Sequence, residues 1–243
     1  MHMWNFSWDK KFWTSYLWNI ETSLKNYLVP KVPSFIQTYH LTYMTLLWCI
    51  WILVFSYIAS KNWLWWLHFV SLFIFLQYIT DLLDGEVGRR RNTGLIKWWY
   101  FMDHFLDFIF LCSIVIGYVF IMPKTIEQIG VINFQLFLFP LEINYYYLMF
   151  YTISVFVWFM IVSFLSFSAT NKFQIAYYWF WPTEIRIFFI IFNTSLIFFP
   201  EYTLNYFVPI MLIWWWIGLI FLVYKTQKEL WKIDMEEKEK NLN

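Results

Sequence analysis

Long apolar runs, separated by short polar or proline-bearing breaks, dominate the pattern of this chain. Runs at 38–59, 64–84, 98–121, 144–168, 182–199 and 204–224 are each about 20 residues long, which at ~1.5 Å per residue matches the ~30 Å of a bilayer core. They predict six transmembrane helices, because hydrocarbon offers backbone amides no partner and such runs are too long for barrel strands. Ahead of them, Trp13, Leu17, Ile20, Leu24 and Leu28 recur every three to four residues among Lys10, Lys11, Asn19, Glu21, Ser23 and Lys25. That spacing predicts an amphipathic helix over 12–28, lying in the membrane interface and ended by Pro30 and Pro33. The expected fold is all-α and polytopic: an interfacial helix in 1–33, a six-helix transmembrane domain in 34–225 and a charged tail in 226–243. The tail reads as a solvated helix or a frayed end. Segment 131–141, apolar but interrupted by Asn133, Gln135 and Pro140, fits a surface piece or a re-entrant one.

Composition removes the soluble alternative, since 61% of the 243 residues are apolar, 26% aromatic and only 14% charged. A net charge of +1 gives no reason to expect a nucleic-acid partner. Cys49 and Cys112 fall inside apolar runs and read as small buried hydrophobes. The first 13 residues are broken by Asp9, Lys10 and Lys11 and lack the apolar core of a cleavable signal peptide, so the N-terminus is expected to be retained.

Charge placement sets the orientation. Lys10, Lys11, Lys25, Lys31, Arg89, Arg90, Arg91, Lys97, Lys172, Lys225, Lys228, Lys232, Lys238 and Lys240 fall on one side of a six-span arrangement, and only Lys61 and Lys124 on the other. The positive-inside rule then puts both termini and the loop between the second and third spans in the cytosol, with the cell membrane as the expected location.

Acidic residues in membrane helices are costly and mark sites. Asp81 and Asp84 stand three apart at the end of the second span, and Asp103 and Asp107 four apart at the start of the third, so each pair shares a helical face. A short loop predicts that these two helices are antiparallel neighbours with facing carboxylates. Four such charges repel unless cations lie among them, and two divalent ions would neutralise them. Hard oxygen ligands favour Mg²⁺, Mn²⁺ or Ca²⁺, and paired ions suit phosphate transfer. The alternative is that individual aspartates are solvated at helix ends. Between the pairs runs Gly85-Glu86-Val87-Gly88-Arg89-Arg90-Arg91-Asn92-Thr93-Gly94. Gly85 and Gly88 permit close backbone approach and Arg89 offers a forked donor to phosphate, while Arg90 and Arg91 serve topology equally well.

These residues resemble the signature of the CDP-alcohol phosphatidyltransferase family, D-x2-D-G-x2-A-R-x8-G-x3-D-x3-D, over the 27 residues from Asp81 to Asp107. Gly88 stands for the usual alanine, the stretch from Arg89 to Asp103 is one residue longer, and Trp99 stands near the later glycine. The resemblance implies attack of an acceptor hydroxyl on the phosphorus of a CDP-alcohol with release of CMP. It implies Asp81, Asp84 and Asp103 as metal ligands, Asp107 as acceptor of the hydroxyl proton and further ligand, Gly85 as room for the nucleotide, and Arg89 on phosphate. The implied cofactors are two divalent cations, Mg²⁺ or Mn²⁺. The implied partners are a CDP-linked donor and an alcohol acceptor, one of them a lipid, and a second copy of the chain. Glu184 and Arg186, opening the fifth span on the same side, are candidates for a polar substrate head, although dipole compensation and snorkelling account for them equally well. Thr42 lies where the family carries polar residues facing the nucleotide. His104, inside the motif, reads as a helix-boundary histidine.

Two other readings fit the same residues: a non-catalytic relative that keeps the fold, and a cation-coupled transporter. The ratio of 18 tryptophans to 6 glycines inverts the usual abundance. It predicts that some tryptophans, Trp99, Trp179 and Trp181 foremost, are glycines whose UGA codons are read under another genetic code, against the alternative of genuine interfacial tryptophan.

Overall fold

The computed structural model describes residues 17–129, 133–136, 139–142, 144–170 and 182–242. Helix α1 covers Trp18–Leu28, and a 3₁₀ turn over Val29–Lys31 holds Pro30. The long helices are α2 (Thr38–Lys61), α3 (Leu67–Arg91), α4 (Ile96–Ile129) and α5 (Tyr145–Thr170), followed by the shorter α6 (Pro182–Phe198). Then come a short α7 (Pro200–Tyr202), a π turn over Thr203–Phe207 and α8 (Val208–Leu242). Five stretches are long and apolar enough to cross a membrane: Thr38–Lys61, Leu64–Arg91, Lys97–Pro123, Tyr146–Thr170 and Pro200–Lys240. The protein is a polytopic helical membrane protein.

Segment 131–141 departs from the helical plan. Strands β1 (Asn133–Leu136) and β2 (Phe139–Glu142) pair antiparallel, with Gln135 opposite Pro140. Proline lacks the amide a helix interior needs, which favours a strand end or edge there.

Residues 12–16 of the expected amphipathic helix lie outside the described residues, and within Trp18–Leu28 the inward position belongs to Glu21, buried, while Ile20 is exposed. Thr183 Oγ1 donates to Glu21 Oε1 at 2.7 Å, drawing the carboxylate against the first turn of α6. Arg90 Nη2 donates to Asn26 Oδ1 at 2.7 Å, and Arg91 donates to the carbonyls of Val32 (2.8 Å), Pro33 (3.2 Å) and Ile36. The N-terminal segment is thereby fastened across the end of α3.

α3 runs seven residues past its expected end at 84, so Gly85, Gly88 and Arg89 are helical rather than part of a loop. Glu86 pairs with Arg89 and Arg90 at 2.8 Å each, three and four residues on, which supports a helix leaving the bilayer. The helix stops at Asn92, whose left-handed φ of 49° is tolerated by a short polar side chain.

α2 is the central packing element. Its buried face includes Thr38, Thr42, Thr45, Cys49, Ser56 and Ala59, small side chains at helical spacing that let two partners approach closely. Consequently α3 and α4 both pack along α2, rather than along each other as the short loop predicts. Their aspartate-bearing ends are bridged by α6 instead. That helix runs beside α3 between Asp81 and His68: Arg186 meets Gln77 and Asp81, Asn193 meets Ser71, and Phe198 meets His68 and Trp65. Ile52, Leu67, Ile74, Ile114, Ile121 and Leu196, all fully buried, fill the space between these helices.

Candidate functional site

The site lies where the end of α3, the starts of α2 and α4, and the first turn of α6 meet. Asp81 and Asp84 project from α3, with Gln77 one turn earlier on the same helix. Asp103 and Asp107 project from the first turns of α4.

Arg186 joins the two helices. Its Nη2 lies 3.0 Å from Asp81 Oδ2 and 3.1 Å from Asp107 Oδ1, and its Nε donates to Gln77 Oε1 at 2.7 Å. The guanidinium also lies 5.7 Å from the centre of the Phe110 ring. Only 5% of Arg186 is exposed, so the charge is desolvated and tied to the carboxylates.

Asp84 is held from α2. It is 1% exposed; Thr42 Oγ1 lies 2.9 Å from its Oδ2 and 3.0 Å from the Thr38 carbonyl, sharing one hydroxyl proton between them. Thr38 Oγ1 donates to the Asp84 carbonyl at 3.1 Å. Asp84 Oδ1 has no hydrogen-bond partner among the described residues. Its charge is felt from Asp103 and Asp81, and Asp103 in turn faces Asp81 and Asp107. The four carboxylates therefore form one cluster, with Arg186 the guanidinium paired into it.

The donor set suits a hard cation. One ligand atom each of Asp103, His104 and Asp107 lies within 4.8 Å of the others, and His104 Nδ1 stands 3.3 Å from Asp103 Oδ2. Asp84 Oδ1 adds a buried carboxylate oxygen without a hydrogen-bond partner among the described residues. Gln77 Nε2 is directed at Asp107 without closing a hydrogen bond of normal geometry. Together these fit a divalent ion held by oxygen and one imidazole.

Of the residues singled out in the sequence, Asp81, Asp84, Asp103, Asp107, Thr42 and Arg186 come together. Arg89 does not join them: its guanidinium folds back on Glu86 and its side chain is 45% exposed. Glu184 is half-buried and precedes Arg186 by two residues, which places it on a different side of α6. At Gly88, a Cβ would stand 2.7 Å from Thr38 Oγ1, so the missing side chain allows α2 to close on α3. At Gly85, a Cβ would stand 2.9 Å from Trp99 Cζ2: the indole covers this glycine and fills the room the resemblance assigns to the nucleotide. The indole N–H is buried and turned to Asp84 without a hydrogen bond of normal geometry. Trp179 and Trp181 lie outside the described residues.

Three participants were not recognised as such in the sequence. His104 stands with Asp103 and Asp107 in a group that could hold a metal ion. Gln77 is legible in retrospect, since a glutamine four residues before Asp81 in an apolar run continues the Asp81–Asp84 stripe. Thr38 carries no local signal, because its role depends on α2 packing against the end of α3. Comparison with protein-family models, curated proteins and solved structures finds no match for this chain.

Proposed function

We propose that this protein is an integral membrane transferase that moves a phospho-alcohol group from a CDP-alcohol to an acceptor hydroxyl, releasing CMP, in phospholipid or related lipid synthesis. The observation that carries this reading is the meeting of Asp81, Asp84, Asp103 and Asp107, the aspartates of the family-like motif, in one cluster bridged by Arg186. Six spans fit best, since α6, although only 17 residues long, runs beside α3 from Asp81 to His68. Both termini and the site would face the cytosol, where a soluble nucleotide product is released.

In this reading the acceptor oxygen forms a bond to the phosphorus bearing the donor's alcohol, the anhydride P–O bond breaks, and CMP leaves with the bond's electron pair. Asp107 receives the hydroxyl proton. Asp81, Asp84, Asp103 and Asp107, with His104 as a further donor, would hold divalent cations. When bound, Mg²⁺ or Mn²⁺ would neutralise the charge on the transferring phosphate and the departing CMP. Gly88 lets α2 close on α3, Gly85 would make room for the nucleotide, and Thr42 orients Asp84. Arg89, at the exposed end of α3, exchanges Glu86 for donor phosphate.

A non-catalytic relative is the second reading, favoured by the Trp99 indole over Gly85. A transporter is less well supported: at mid-bundle depth α3, α4 and α6 contribute Ser71, Tyr118 and Asn193, neutral groups hydrogen-bonded to one another. Purified protein supplied with a panel of CDP-alcohols and acceptors should release CMP, lose that activity in chelator and regain it with Mg²⁺ or Mn²⁺. Full activity in chelator would reject the metal-dependent reading, and no CMP release with any pair would favour the non-catalytic relative.

A further inference from the structure

Arg186 and the candidate cation ligands make competing demands on the same carboxylates. Asp107 belongs both to the Arg186 bridge and to the Asp103–His104–Asp107 ligand set. A divalent ion on that set would stand a few ångströms from a guanidinium already bound to Asp107, within a desolvated pocket where like charges repel strongly. Asp81 is likewise committed to Arg186.

We propose that Arg186 is a built-in counter-ion which the divalent cation displaces from Asp81 and Asp107, and which then turns to the diphosphate of the donor; this rests on the metal-dependent reading above. Two features beyond the acidic cluster point this way. Gln77 holds Arg186 through Nε at 2.7 Å, so Nη2, the terminal nitrogen on both carboxylates, can leave them while the side chain stays anchored. Gln77 Nε2, on the fully buried side chain that holds Arg186, has no hydrogen bond of normal geometry among the described residues. The charge balance agrees, since the single guanidinium leaves most of the four negative charges uncompensated.

Displacement gives Arg186 opposite effects on two ligands. It weakens cation binding, because it must be moved, and strengthens nucleotide binding, because it then meets phosphate. A residue that only orients the carboxylates would help both.

The experiment uses the full chain in nanodiscs, with Mn²⁺ binding read by electron paramagnetic resonance and CDP binding at saturating Mn²⁺ read by calorimetry. Arg186→Gln should bind Mn²⁺ about tenfold more tightly than the wild type and CDP about tenfold more weakly. Arg186→Lys, whose single ammonium reaches one carboxylate at a time, should shift both in the same directions by a smaller factor, and it decides the matter if the glutamine variant does not fold. Unchanged or weaker Mn²⁺ binding in the folded variants overturns the inference while leaving the metal-dependent reading intact. Absence of Mn²⁺ binding by the wild type itself overturns that reading and the inference together.

Discussion

Two buried polar clusters lie along α6, and they differ in whether their groups are satisfied. Midway along the helix, Asn193 accepts from the Tyr118 hydroxyl at 2.8 Å and donates to Ser71 Oγ at 3.0 Å, tying α6 to α4 and α3 with neutral partners. At its first turn, Arg186 meets a cluster of carboxylates that outnumber it and that leave Asp84 Oδ1 and Gln77 Nε2 without hydrogen bonds. A satisfied neutral knot in hydrocarbon fixes helix positions. An excess of charge with unpartnered atoms costs stability and is retained where a ligand completes it. The same helix thus serves as a fastening at its middle and as a site wall at its end.

The largest expected effect breaks the charged end. Asp107→Asn should lower single-turnover CMP release by about 10²–10⁴-fold while leaving CDP affinity in Mn²⁺ close to the wild type, as expected for loss of a proton acceptor. Asp84→Asn should weaken Mn²⁺ and CDP binding together. Near-normal turnover by Asp107→Asn rejects its role as base, and near-normal activity in both variants rejects the site.

A smaller effect is expected from uncovering Gly85. Trp99→Gly removes the indole that stands against it and should tighten CDP binding by about tenfold, ~1.4 kcal/mol, measured by calorimetry. If that residue is glycine in the cell, its codon is UGA; UGG at positions 99, 179 and 181 would remove the idea.

The neutral knot should respond in stability alone. Asn193→Leu strands the Tyr118 hydroxyl in the bundle and should cost about 1–3 kcal/mol in thermal unfolding, with Mn²⁺ affinity unchanged. A matching loss of Mn²⁺ affinity would mean that the two clusters are coupled through α6. The smallest effect lies outside both: Lys232→Gln breaks an exposed pair with Glu236 at 3.7 Å on the α8 tail and should alter stability by no more than about 0.5 kcal/mol.

The sequence by itself determined the membrane class, the positions of the long helices and the two aspartate pairs, because apolar run length and three- and four-residue spacings are local properties. It also led to Thr42 and Arg186 as candidates. It did not reveal that α2 stands against both aspartate helices, which follows from its small side chains meeting partners distant in the chain. Nor did it reveal that Glu21 turns inward to Thr183, that His104 stands with Asp103 and Asp107 in a group that could hold a metal, or that Trp99 covers Gly85. Each of these depends on which surfaces of separate helices face one another at a given depth. Spacing along one helix defines a face, and only the packing of several helices decides what that face meets.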